Sequence, residues 1–337
     1  MIAGMTYEAA GTEPPGVGAR WSAVRRFAGY GAASTLSLYL VVKVIWVLAA
    51  LPGGTEGSAA GDWVALNAVT VGMATVGVAL GLALAQPWGR RVPAAPLLLV
   101  AWTGAGFMVP MLPYLVVSAV LGATGTGGDA GGDAGAAGPA AAIPAWEGVF
   151  ISIGFAGMAV GLAIALPIYM RERWPHAFLG RLGDTPPAPS PRSSYATAAV
   201  VALALGALGA LWLYWALGGT LGLEAAHRDP DLNERLLNGN SAIWAFAGAW
   251  SVRALTTGRY AVRSPVWVPF SLAFAASGSL FAWGCWKLSV AVLRPGDYVP
   301  AEHPVVAVAQ HVLAAGAGAA MLAGIVRTYR DRAAGHP

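Results

Sequence analysis

The chain has 337 residues, of which 57% are apolar and 11% charged, with 45 glycines and a mean hydropathy of +0.60. A soluble domain carries about 25% charged residues, so a soluble enzyme is excluded. The net charge of +4 comes from scattered arginines without the clustered basic face that nucleic-acid binding needs, which excludes that class too.

Residues 1–19 are rich in Gly, Pro and Thr, carry Glu8 and Glu13 and lack an apolar core, so no secretory signal is expected there. Residues 1–27 read as a cytoplasmic tail. Arg25 and Arg26 precede an apolar run that is too long for a signal sequence and is interrupted by Lys43, so it reads as a first membrane helix. A bilayer core of about 30 Å requires about 20 apolar residues in a helix. Eight stretches qualify: 28–51, 64–85, 97–121, 148–169, 195–221, 237–255, 266–293 and 305–326. The sixth is the weakest, because it holds Asn238, Asn240, Ser241 and Arg253.

Between the third and fourth spans, 122–139 is Gly/Ala-rich and reads as a flexible external loop. Its Asp129 and Asp133 are too few to hold a hard cation, which takes six or more oxygens. The stretch 170–194, Pro/Ser-rich over 184–192, reads as a cytoplasmic linker between two four-helix halves, 28–169 and 195–326, with 327–337 as a cytoplasmic tail. In the external segment 224–238, Asp229 and Pro230 ahead of Leu232, Leu236 and Leu237 suggest a short interfacial helix.

Charge placement sets the orientation, because short cytoplasmic loops collect Lys and Arg. With eight spans and both termini inside, Arg20, Arg25, Arg26, Arg90, Arg91, Arg171, Arg173, Arg181, Arg192, Arg253, Arg259, Arg263, Arg327, Arg330 and Arg332 are cytoplasmic. Arg228, Arg235 and Arg294 fall outside, while Lys43 and Lys287 lie within spans. Omitting the sixth span would move the last six of these cytoplasmic arginines outside. Trp21, Trp88, Trp174 and Trp267 mark the inner interface and Trp63, Trp146 and Trp286 the outer. The expected class is therefore all-α, a polytopic integral protein of the cell membrane.

The halves look duplicated. Arg91-Val92-Pro93 matches Arg263-Ser264-Pro265, and Tyr169-Met170-Arg171-Glu172-Arg173 matches Tyr329-Arg330-Asp331-Arg332. Trp46-Val47-Leu48 and Trp215-Ala216-Leu217 are each followed by Gly-Gly-Thr. Each half has an even number of spans, so the two repeats are parallel, related by an axis along the membrane normal. The rival explanation is coincidence in an Ala/Gly/Leu-rich chain. The segment from Trp212 to Gly219 (Trp-Leu-Tyr-Trp-Ala-Leu-Gly-Gly) resembles the helix-end motif of small four-span membrane proteins of actinobacterial type, and Tyr39, Lys43 and Trp46 form a degraded copy. That resemblance implies a duplicated four-span bundle and no particular activity.

An ionisable residue in hydrocarbon costs at least about 2.5 kcal/mol and so marks a candidate site. The spans hold no Asp or Glu, which argues against carboxylate-driven ion coupling. Lys43 lies roughly 12 Å below the outer interface and Lys287 nearer to it. Two readings stand for each lysine. Its stem snorkels to the headgroups, or it lines a polar cavity open to the outer leaflet together with Asn67, Gln310 and His311. Such a cavity, with cations and no acid, would suit a small anionic or amphiphilic molecule. Pro110 and Pro113 lie at the same depth, where they remove backbone donors. Haem is disfavoured, since His303 and His311 share one helix face about 12 Å apart. No cofactor or metal is expected. Cys285, the single cysteine, reads as a small buried hydrophobe, and the pairs Gly77/Gly81 and Gly157/Gly161 as packing faces.

No nucleophile or zinc spacing occurs, so the functional expectation is a non-enzymatic membrane component that binds or passes such a molecule. The alternatives are an accessory subunit for a partner membrane protein and, less favoured, an enzyme on lipid-linked substrates with His311 as base.

Overall fold

The computed structural model describes residues 17–50, 58–124, 145–178, 180–182, 192–257, 263–294 and 300–334. The Gly/Ala-rich loop with Asp129 and Asp133, most of the Pro/Ser-rich linker, Arg259 and the first Gly-Gly-Thr all lie outside them. Apolar residues of high helical propensity, with glycines spaced at whole turns, build a bundle of long rods. These are α1 (Ala19–Ala50), α2 (Ser58–Ala85), α3 (Ala94–Met108), α4 (Leu112–Ala123), α5 (Ala145–Arg173), the single turn α6 (Pro175–Phe178), α7 (Arg192–Ala216), α8 (Leu232–Thr257), α9 (Trp267–Leu293) and α10 (Pro304–Ala334).

Seven rods are long and apolar enough to cross a membrane, counting α3 and α4 as one. Large apolar side chains such as Phe27, Val200, Leu203 and Val305 project outward from them, as lipid-facing residues do. The eighth rod, α8, falls short in hydropathy because Asn233, Glu234, Arg235, Asn238, Asn240 and Arg253 dilute it.

Three differences from the sequence reading follow, the first two with local causes. No separate interfacial helix precedes α8. Asp231, not Asp229, is the cap: its Oδ1 accepts from the Glu234 N–H at 2.7 Å, and the helix then runs unbroken to Thr257. The third span is broken at a 3-10 turn, Val109–Met111, where Pro110 removes one N–H and Pro113 another. Cys285 is half-buried rather than buried.

Two apolar cores organise the bundle. One gathers α1, α2, α3 and α5 around Leu36, Leu84, Trp102 and Leu162; the other gathers α7, α8, α9 and α10 around Leu205, Trp215, Phe270 and Met321. In the first, glycine faces let backbones touch. A Cβ on Gly157 would lie 2.4 Å from Thr35 Oγ1, and one on Gly81 3.0 Å from the Ala33 nitrogen. The two cores meet along α3 and α9, where Phe274 of α9 packs into the first core. Trp102 Nε1 donates to Ser277 Oγ at 2.9 Å across that seam. At one end the backbone of residues 180–182 pairs with 264–266; at the other, 222–224 pairs with 301–303.

The Trp-Ala-Leu-Gly-Gly motif is a helix stop. Gly218 adopts φ +97°, a left-handed conformation costly for any residue with a Cβ, and the Gly219 N–H returns to the Tyr214 carbonyl at 2.8 Å.

Candidate functional site

The five candidate residues fall in two places, one in each half. In the first half, α1 and α2 bring Lys43 to Asn67, whose Oδ1 accepts from the ammonium at 2.9 Å. The Trp46 and Tyr39 rings flank the same charge, with centroids 4.2 and 5.7 Å away. Asn67 is buried, and its carbonyl accepts from Thr70 Oγ1. Two aromatic faces and an amide thus replace part of the water that a lysine loses at this depth. Lys43→Met would remove the ammonium that donates to Asn67 Oδ1. We expect a loss of about 1–3 kcal/mol, read as a lower thermal midpoint in detergent and largely recovered by adding Asn67→Leu.

In the second half, α10 carries Gln310 and His311, both buried. Gln310 Oε1 accepts from Trp212 Nε1 at 2.7 Å, and its Nε2 donates to Glu302 Oε1 at 2.7 Å. Glu302 is held in place by the backbone pairing that joins 222–224 to 301–303, and Trp215 Nε1 ties the same loop down through the Leu221 carbonyl at 2.9 Å. Lys287 of α9 and Glu302 are the charged neighbours of His311. Lys287 itself is exposed on the outside of the bundle.

Sequence reasoning counted Glu302 as a loop residue and expected no acid near the lysines; the second cluster has one. The signal available was the two-turn spacing from Glu302 to Gln310, which brings a residue just ahead of α10 over its first buried amide. His303 is exposed and His227 Nδ1 lies 3.5 Å from Glu234 Oε1, so the histidines do not converge. Among the described residues no three His, Cys, Asp or Glu side chains gather as metal ligands would.

A third cluster lies at the opposite end of the rods; in the sequence its arginines were read as cytoplasmic charges and Glu172 only as part of a repeat mark. Glu172 of α5, with 6% of its side chain exposed, lies 3.0 Å from Arg25 Nε of α1 as an ion pair and accepts from Arg90 Nη2 at 2.7 Å and Ser22 Oγ at 2.7 Å. Arg25 also donates to the Leu84 carbonyl. One residue on, Arg173 donates to Tyr169 OH at 2.8 Å and to the Val92 carbonyl at 2.8 Å, while Tyr169 OH donates to the Gly89 carbonyl. These contacts pin α1, α5 and the turn after α2 together.

Two open-sided grooves run along the bundle. One, of about 480 Å³, is walled by Val109, Leu112, Pro113, Val116, Val117 and Trp244. The other follows α10 from Ala319 to Asp331. None of the five candidate residues lines either.

Long apolar rods, a lipid-facing apolar exterior and polar groups tied off internally define a helical, multi-pass membrane protein. No family model, curated protein or solved structure matches the chain.

Proposed function

We propose that the protein is a non-enzymatic component of the cell membrane that holds an anionic or amphiphilic molecule at its outer edge, with Lys287 as the charge that receives the acidic group. The observation carrying this reading is an exposed lysine within a span, beside the buried imidazole of His311. Native mass spectrometry of the protein in mild detergent tests it. Wild type should retain a stoichiometric anionic lipid or small anion whose occupancy falls about tenfold or more in Lys287→Met, the worth of one charge-assisted hydrogen bond. Bare masses for both proteins would favour the second reading.

That second reading is an accessory subunit packing against a partner membrane protein. It draws on Lys43, Gln310 and Glu172, whose polar groups are engaged by neighbouring helices.

Both readings use eight spans, both termini cytoplasmic and two parallel repeats. In support, α8 buries Asn240, Ala245, Gly248, Ser251 and Ala254 between its neighbours, and leaving it outside the bilayer would put Arg253, Arg263 and Arg327 on the wrong side of the charge rule. The repeat draws support from Gly106 and Gly278. Gly106 stands as far along the chain from Arg91 as Gly278 from Arg263, and these two glycines meet, as equivalent positions must beside a shared axis. Against that symmetry, α1 lies along α5 for much of its length whereas α7 meets α10 more briefly.

A further inference from the structure

Of the two grooves on the bundle, the one between α4 and Trp244 has only apolar walls. The other, also of about 480 Å³, ends in charge. Along α10, Ala319, Leu322, Ala323 and Val326 give about 10 Å of apolar wall, and Arg327, Arg330 and Asp331 follow on the next turn. Steps of three and four residues keep all of them on one side of the helix.

The charged groups at this end are exposed and are not spent on one another. Arg327 and Asp331 stand at i and i+4, a spacing at which a helix allows an ion pair. That pair does not form. Arg327 Nη1 donates instead to Ser194 Oγ at the start of α7, at 2.8 Å. This bond holds the guanidinium beside the groove and leaves most of its N–H donors available. Among the described residues neither Arg330 nor Asp331 has an ion-pair partner.

The groove therefore offers a hydrocarbon wall, then two guanidinium groups and a carboxylate. A plain anionic headgroup would satisfy the arginines and set its charge against Asp331. A quaternary ammonium would reach the carboxylate with no N–H to give. A phosphodiester linked to a primary ammonium matches both signs, and each contact is then a charge-assisted hydrogen bond.

We infer that the α10 groove is a site for a phospholipid of the phosphatidylethanolamine class, with an acyl chain along residues 319–326, the phosphate on Arg327 and Arg330 and the ammonium on Asp331. The site lies at the end of α10 away from Gln310 and His311, so it does not rest on the anion-binding reading of Lys287.

Native mass spectrometry of the full chain in mild detergent tests this, with phosphatidylethanolamine, phosphatidylcholine or phosphatidylglycerol of identical acyl chains added at one concentration. Wild type should retain phosphatidylethanolamine about two- to fivefold more than either of the others, the range for one exposed charge pair. Asp331→Asn should abolish the preference over phosphatidylcholine without lowering retention of phosphatidylcholine, and Arg330→Gln should weaken all three. Ala323→Trp should fill the groove and reduce binding of every lipid; the position is exposed, so the variant should fold. Lys287→Met should leave the preference as it is, which separates this site from the one at Lys287. Equal retention of the ethanolamine and choline lipids by wild type, or tighter retention of phosphatidylglycerol, overturns the assignment. So does an ethanolamine preference that persists in Asp331→Asn.

Discussion

Glu172→Gln should destabilise the protein by about 3–5 kcal/mol, the usual result of removing one partner from a buried ion pair. The reason is what remains. Arg25 keeps its charge with 7% of its side chain exposed and loses the carboxylate 3.0 Å away, while its other donor stays on the Leu84 carbonyl. Against a total stability of about 5–15 kcal/mol, that is a large share. The expected order separates this cause from a general surface effect. Arg25→Met should be comparably severe, whereas Arg90→Met, whose side chain is 56% exposed, should cost no more than about 1 kcal/mol. The double variant Arg25→Met/Glu172→Gln should be milder than the sum of its parts, since neither charge is then stranded. Thermal midpoints and folded yields of the four proteins in one detergent read the series. Additive losses, or an Arg90 variant as damaging as the Arg25 one, would show that the triad does not act as a unit.

Seven of the rods were legible because hydropathy is local: a run of about 20 apolar residues reports its own burial in lipid. Their ends were less so, since the fifth stretch was read through to residue 221, past the left-handed Gly218, whereas α7 stops at Ala216. The pairs Gly77/Gly81 and Gly157/Gly161 were legible as packing faces because spacing within a helix is also local, and both lie against α1. The partners were not legible. Lys43 and Lys287 look alike in sequence, yet one is engaged by an amide and two rings and the other faces outward. That outcome depends on helix rotation and crossing, which no periodicity fixes when apolar residues cover every face. Glu302 was missed because a residue outside a span by hydropathy can still be folded over its end by backbone pairing. Glu172 was missed because an Arg-Glu-Arg run at an inner helix end already satisfies the charge rule, and the rule says nothing of which helices the glutamate joins. The break at Pro110 and Pro113 was half legible. The prolines marked the lost donors, but only the folded chain shows that the indoles of Trp283 and Trp244 donate to the Phe107 and Pro110 carbonyls.

Gly106→Ala should be among the most damaging single-methyl additions in the chain. A Cβ there would lie 2.2 Å from the carbonyl carbon of Gly278 and 2.3 Å from its oxygen, and both are backbone atoms of α9 that cannot rotate aside. Helices α3 and α9 must therefore separate, and the seam between the two cores opens with them. Trp102 would lose its 2.9 Å hydrogen bond to Ser277, and its ring, 4.7 Å from that of Phe281, would lose its stacking partner. Overpacking of this kind costs about 1–3 kcal/mol and more where backbone meets backbone. Gly278→Ala should act in the same direction, since its Cβ would meet the Trp102 carbonyl oxygen at 2.5 Å. Gly206→Ala and Gly316→Ala are the matched controls. Nothing lies within 4 Å of a Cβ at either position, so a helix-favouring methyl should be neutral or stabilising by up to about 1 kcal/mol. The pair at the seam should also be strongly non-additive: once one methyl has forced the helices apart, the second meets less resistance. Thermal unfolding monitored by tryptophan fluorescence reads both the loss of stability and the altered surroundings of Trp102. If Gly106→Ala behaves like Gly206→Ala, α3 and α9 do not approach this closely, and the meeting of equivalent glycines loses its value as support for a duplicated bundle.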